Sequence, residues 1–128
     1  MRFPRIGLTT ALVLALAVLA TSPAAAAETI RIGFMGPLTG IFAQAGKDML
    51  DGLKMSLEQV SYQAGGRKIE LIEEDTEGNA ATAIAKYRKL VDHDKIHVMT
   101  GILLVNVGNG LVPLIERDRE EDEDRASH

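Results

Sequence analysis

Three times between Thr29 and Asp118, a short apolar run gives way to a stretch that reads as helical. That alternation admits few folds. Thr29 to Met35, "TIRIGFM", reads as a strand with Ile30, Ile32 and Phe34 on one face. Lys47 to Ala64 reads as a helix, with Met49, Leu50, Leu53, Leu57 and Val60 as its apolar positions and Asp51, Lys54 and Glu58 between them. Ala64-Gly65-Gly66 is expected to stop it, because glycine tolerates the left-handed cap conformation. Arg67 to Asp75 reads as a second strand. A second helix follows, capped by Asn79 and carrying Ala80, Ala83, Ile84, Tyr87, Leu90 and Val91 on one stripe to about His93. Ile96 to Gly101 is a nearly all-apolar third strand, expected to be buried on both faces. A loop, "ILLVNVGNG", leads to a short last helix over Leu111 to Asp118. Strand–helix alternation of this kind builds a parallel sheet of about three strands with helices on both faces, a Rossmann-like three-layer α/β arrangement.

The first 27 residues stand apart. Arg2 and Arg5 precede an apolar core from Ile6 to Ala20, and "TSPAAAAE" follows with a Pro breaker and small residues. Ala25 and Ala27 fit the two small-residue positions of a cleavage site. The stretch reads as a signal peptide, residues 1–27. A membrane span needs about 20 apolar residues, more than this core supplies. The sequence has no cysteine, so no disulfide and no cysteine-linked lipid anchor is expected, and the mature chain is placed free in the periplasm. Removing the two arginines makes the formal charge of −4 more negative still. With no basic stripe, such a chain is a poor partner for nucleic acid.

The other end is charged. From Glu116, "ERDREEDEDRASH" has Ala126 as its only apolar residue. Residues 120–128 are expected to be a disordered acidic tail.

In parallel α/β sheets, ligands bind beyond the carboxyl ends of the strands. That selects three segments: the glycine loop "GFMGPLTGIFAQAG" from Gly33, the turn "EEDTEGN", and "GILLVNVGNG". The glycine loop is not a P-loop. Five residues separate Gly40 from Gly46, and Lys47 is followed by Asp48 where a hydroxyl would hold magnesium. It lacks the Gly-x-Gly-x-x-Gly turn of dinucleotide folds. His93 and His97 lack partners at metal-ligand spacing. Ser56 and Ser61 lie on a helix rather than on a nucleophile elbow. No catalytic residue, metal site or cofactor is expected. What remains at the loop's rim is a hydroxyl (Thr39), an aromatic (Phe42) and an amide (Gln44), the makeup of a small-molecule pocket.

From Thr29 to about Arg119 the chain resembles the start of a type I periplasmic solute-binding protein of the leucine/isoleucine/valine-binding-like branch, which serves ABC importers. Three motifs carry the resemblance: Gly36-Pro37-Leu38-Thr39-Gly40, Gly65-Gly66 before the second strand, and Asp75 before the second helix. It implies a two-lobed clamshell that captures a small solute without chemistry and docks on a membrane permease. Carried over by position, the ligand residues are Thr39, Phe42, Gln44 and Ala45 in the first loop, and Leu104, Val105 and Asn106 after the third strand. In amino-acid binders of the family the latter loop is rich in Ser and Thr, and the first often holds an aromatic where Ala45 stands. Both differ here, so an apolar or aromatic carboxylate rivals a branched-chain amino acid as ligand. Backbone N–H groups at the start of the last helix could hold the carboxylate. The alternatives are a ligand-sensing domain of the same fold and an exported Rossmann-like enzyme. Residues 28–119 would supply part of one lobe. The expectation is a truncated or frameshifted product whose tail is out of register with the family, of marginal stability because its sheet edges are unpaired.

Overall fold

The computed structural model describes residues 27–128. The expected signal peptide lies, but for its last residue, outside the described residues.

Strand β1 is Ile30–Gly36 and helix α1 is Ala43–Gln59. Strand β2 is the two-residue Gln63–Ala64, and β3 is Arg67–Asp75. Helix α2 is Ala80–Arg88 and passes into a π-helical turn at Lys89–His93. Strand β4 is Val98–Thr100, and helix α3 is Val105–Ala126. The sheet order is β2-β3-β1-β4. β1 pairs in parallel with β3 from Ile30↔Ile69 to Gly36↔Asp75, and with β4 from Ile32↔Val98 to Phe34↔Thr100. The α/β class, the three parallel strands and the helices on both faces follow the sequence reading.

Alternation along the strands sorts the two faces. Met35 and Ile72 look toward α2 and α3, where Ala83, Tyr87, Leu90, Val107 and Leu111 close the core. Glu74, paired with Met35 in register, points the same way and meets Lys86 at 2.8 Å and Lys89 at 2.6 Å. The opposite face carries Phe34 and Glu73, and α1 lies there, with Lys54 2.7 Å from Glu73. Asn79 caps α2 as expected, its Oδ1 accepting from the N–H groups of Ala81 (2.8 Å) and Thr82 (3.1 Å).

Several features differ from the sequence reading, and one is the start of the last helix: α3 begins at Val105 rather than Leu111, so most of the expected loop "ILLVNVGNG" is helical. Helix α1 starts at Ala43 rather than Lys47, because the chain turns directly after Gly40, whose carbonyl accepts from Ala43 N–H at 3.2 Å. It also ends earlier, at Gln59, and Ser61 and Tyr62 make the left-handed exit at φ 52° each. Gly65 and Gly66, at φ 57° and 74°, instead form the two-residue turn of a hairpin between β2 and β3. Two successive positive φ values match the twist of the flanking strands, and glycine adopts them without penalty. Strand β4 is not buried on both faces: Val98 is 53% exposed, because among the described residues β4 is the sheet's edge and only β1 lies beside it. Finally, the tail expected to be disordered continues α3 as helix to Ala126. Its Arg and Glu residues are good helix formers, and they pair at i,i+4 as Arg117–Glu121, Arg119–Glu123 and Glu121–Arg125.

Candidate functional site

The carboxyl ends of β1, β3 and β4 lie side by side, so the three segments that follow them must meet. Pro37 to Phe42 leaves β1, Thr76 to Asn79 leaves β3, and Gly101 to Leu104 leaves β4. Close backbone approach holds the first in place. A Cβ on Gly46, in the first turn of α1, would sit 2.1 Å from the Pro37 carbonyl oxygen. Only glycine lets the helix lie down on the loop it came from.

Asp75 ties the first segment to the second. Its Oδ1 accepts from the backbone N–H of Leu38 and from that of Glu77, both at 2.8 Å. Its Oδ2 accepts from the Thr39 hydroxyl at 2.6 Å. Partial burial alone would raise the Asp75 carboxyl, but the Thr39 hydroxyl and the N–H groups of Glu77, Leu38 and Thr39 outweigh it and hold the group below its ordinary value. The Gly36 carbonyl adds a bond from Thr76 N–H at 2.9 Å.

The third segment joins at Gly78. A Cβ placed there would be 3.3 Å from Leu104 Cδ1 and 3.9 Å from Phe42 Cδ2, so all three segments touch around this residue. Asn106 Nδ2 donates to the Gly78 carbonyl at 3.2 Å. Helix α3 opens on the same rim. Its N-cap, Leu104, makes no side-chain cap, so the first N–H groups of the helix have no side-chain partner among the described residues. They form the positive end of the helix dipole.

The structure therefore brings Thr39, Phe42, Leu104 and Asn106 together around Asp75 and Gly78, with Val105, 77% exposed, beside them at the start of α3. Gln44 and Ala45 are different. Both lie on the exposed side of α1, and Gln44 Nε2 bonds Asp48 Oδ1 at 2.7 Å along that helix. Two residues of the rim, Asp75 and Gly78, lie in the selected turn but are not among the expected ligand residues. The signal for both was local. An Asp followed two residues later by a turn residue and then Gly reads as an Asx turn, in which the carboxylate accepts from the second N–H onward.

A separate groove of about 440 Å³ opens between the π turn and α3, lined by residues that include Arg88, Asp92, His97, Arg117 and Asp118. Its charges answer one another: Arg88 lies 3.1 Å and Arg117 3.2 Å from Asp118, which also accepts from the Tyr87 hydroxyl at 2.8 Å. Burial, followed by that hydrogen bond and the charge of Asp118, pushes the Tyr87 phenol up to about 12.

Residues 29–120 match the family described as periplasmic binding protein. The chain belongs to the periplasmic binding protein family. Solved structures agree. An ABC transporter substrate-binding protein from Sphaerobacter thermophilus is 38% identical, with a TM-score of 0.69 over 70% of this chain and 24% of its own. A solute-binding protein of an ABC transporter from Rhodopseudomonas palustris, in complex with 3,4-dihydroxybenzoic acid, is 26% identical, with a TM-score of 0.65 over 67% of this chain and 24% of its own. The branched-chain amino acid transporter substrate-binding protein LivJ from Streptococcus pneumoniae, in complex with isoleucine, shares the fold at 23% identity, with a TM-score of 0.63 over 67% of this chain and 25% of its own. The chain thus spans about a quarter of the length of these family structures. No curated protein sequence matches the chain.

Proposed function

We propose that this chain supplies one wall of the solute site of an ABC-importer substrate-binding protein, acting in the periplasm and delivering its solute to an inner-membrane permease. The solute class is a small carboxylate with an apolar body, either a branched-chain amino acid or an aromatic acid. The observation that carries this reading is the meeting of Phe42, Gly78 and Leu104 at the uncapped start of α3. Phe42, Leu104 and Val105 offer apolar surface, and the N–H groups of the helix start suit a carboxylate. The relatives' ligands named above, 3,4-dihydroxybenzoic acid and isoleucine, share that chemistry. The reading involves capture only, with no bond made or broken in the solute. A wall without the opposite lobe buries one side of a ligand, so binding by this chain alone is expected to be weak, with a Kd of about 1 mM or above.

The test is a titration of the isotope-labelled chain with 3,4-dihydroxybenzoate and with isoleucine, followed by NMR. Amide shifts confined to Phe42, Gly78 and residues 104–107 support the reading. Saturating shifts in the Arg88–Asp118 groove instead, or none anywhere at tens of millimolar solute, would overturn it.

A further inference from the structure

The polar side chains expected to meet the solute are engaged within the protein. Thr39 has one hydroxyl proton, and it points at Asp75 Oδ2 across 2.6 Å. The Asn106 amide donates to the Gly78 carbonyl. Asp75 in turn collects donors from two different segments, Leu38 and Thr39 after β1 and Glu77 after β3. Charged groups of neighbouring elements have partners of their own: Glu73 pairs with Lys54, Glu74 with Lys86 and Lys89, Asp48 with Gln44, and Glu77 with the Thr82 hydroxyl at 3.4 Å, while Lys47 and Asp51 on α1 are exposed.

We propose that Asp75 is the positioning residue of the solute-facing rim, and that Thr39 serves Asp75 rather than the solute. The inference rests on the solute-binding reading above and deepens it. Short bonds to an ionised carboxylate are stronger than neutral ones, so one side chain can hold both segments in register. The Thr39 hydroxyl then has no proton to donate to a solute carboxylate. That leaves the N–H groups at the start of α3, together with the second proton of the Asn106 amide, as the carboxylate's partners on this wall, and Thr39 shapes the wall from behind.

The experiment uses the full labelled chain without solute. In the wild type, the Leu38 and Glu77 amides should titrate together, with one midpoint below the ordinary range of an aspartate. In Asp75→Asn, amide exchange at Leu38 should accelerate by at least about tenfold, while Leu90 and Leu111 keep their protection. Thr39→Ser should preserve the midpoint, and Thr39→Val should move it upward. The rescue by serine is the readout that general packing would not give. Two midpoints for Leu38 and Glu77, or Asp75→Asn and Thr39→Val both leaving Leu38 as in the wild type, would overturn the proposal. The wild-type titration stands even where a variant fails to fold. Adding 3,4-dihydroxybenzoate afterwards separates the two readings: no solute shift beside a single low midpoint overturns solute binding and leaves the role of Asp75 standing.

Discussion

The sheet carries two helices on one face and one on the other, and the two faces are closed by different means. On the first, Met35, Leu90, Val107 and Leu111 are almost entirely removed from water, and the buried carboxylate of Glu74 has two lysines. On the second, α1 contributes Leu50 and Leu57 to the interior while Met49, Met55 and Val60 stay outside. The backbone of Gly46 against Pro37 seats α1 together with Leu50 and Leu57, over the buried Phe34 and Ile69 of the sheet. The difference separates two tasks. The α2–α3 face stabilises the fold through apolar burial, and the α1 face fixes the direction of the loop that becomes the rim.

The largest effect is expected from a cavity on the better-filled face. Leu111→Ala should cost about 2–5 kcal/mol, and Leu57→Ala on the other face should fall at the low end of that span. Urea unfolding of both variants checks the ranking, and equal losses would erase the contrast between the faces.

Glu74→Gln comes next, at about 1.5 kcal/mol, the low end for a charged hydrogen bond, because Lys86 and Lys89 reach it from partly exposed positions. Burial by itself would raise the Glu74 carboxyl, but the hydrogen bonds from Lys86 and Lys89 outweigh it, so its folded value lies below the ordinary 4.5. The unfolded state therefore binds the proton more readily. The stabilisation is complete above that ordinary value and is lost as the pH falls through the folded one. A stability–pH profile should show a shallower acid limb in Glu74→Gln than in the wild type.

Gly46→Ala sets two effects against each other. Alanine in a helix gains about 1 kcal/mol over glycine. Its Cβ, however, would lie 2.1 Å from a carbonyl oxygen of the backbone, which cannot swing aside. Overpacking costs about 1–3 kcal/mol, so a net loss is expected, together with larger shift changes at Pro37–Phe42 than at α2. A net gain would mean that α1 is free to slide.

The smallest effect belongs to the end of α3. The pairs Arg117–Glu121 and Arg119–Glu123 are exposed, so each is worth about 0.3–0.5 kcal/mol and is screened by salt. Replacing Glu121 and Glu123 with Gln should lower helix content by circular dichroism at low salt and leave the unfolding midpoint of the core almost unmoved.

How much of this could be read from the chain depends on how local each cause is. Strand–helix order follows from periodicity, and the Asn79 cap from a side chain reaching N–H groups two and three residues ahead. Gly65-Gly66 was misassigned because positive φ serves a helix end and a hairpin turn equally well, and only the pairing of Gln63 with Lys68 decides. The apolar run at β4 signals burial only when a strand lies on each side, which no local pattern states. In the tail, the residues that announce solvation also favour helix. Of the residues expected at the site, Thr39, Phe42, Leu104 and Asn106 lie around Asp75 and Gly78. The role of Asp75 was missed because its partners Leu38 and Thr39 are distant in sequence and meet it only through the β1–β3 register.

Phe34 pairs with Thr100 in the sheet, and its ring is bracketed by glycines on both sides. A Cβ at Gly36 would come within 2.7 Å of Cε1, and one at Gly101 within 2.6 Å of Cε2. The two positions, far apart in the chain, thus read the same aromatic ring. Substitutions at them would be epistatic rather than independent: once the ring has been displaced from one side, a second intrusion meets a gap already opened.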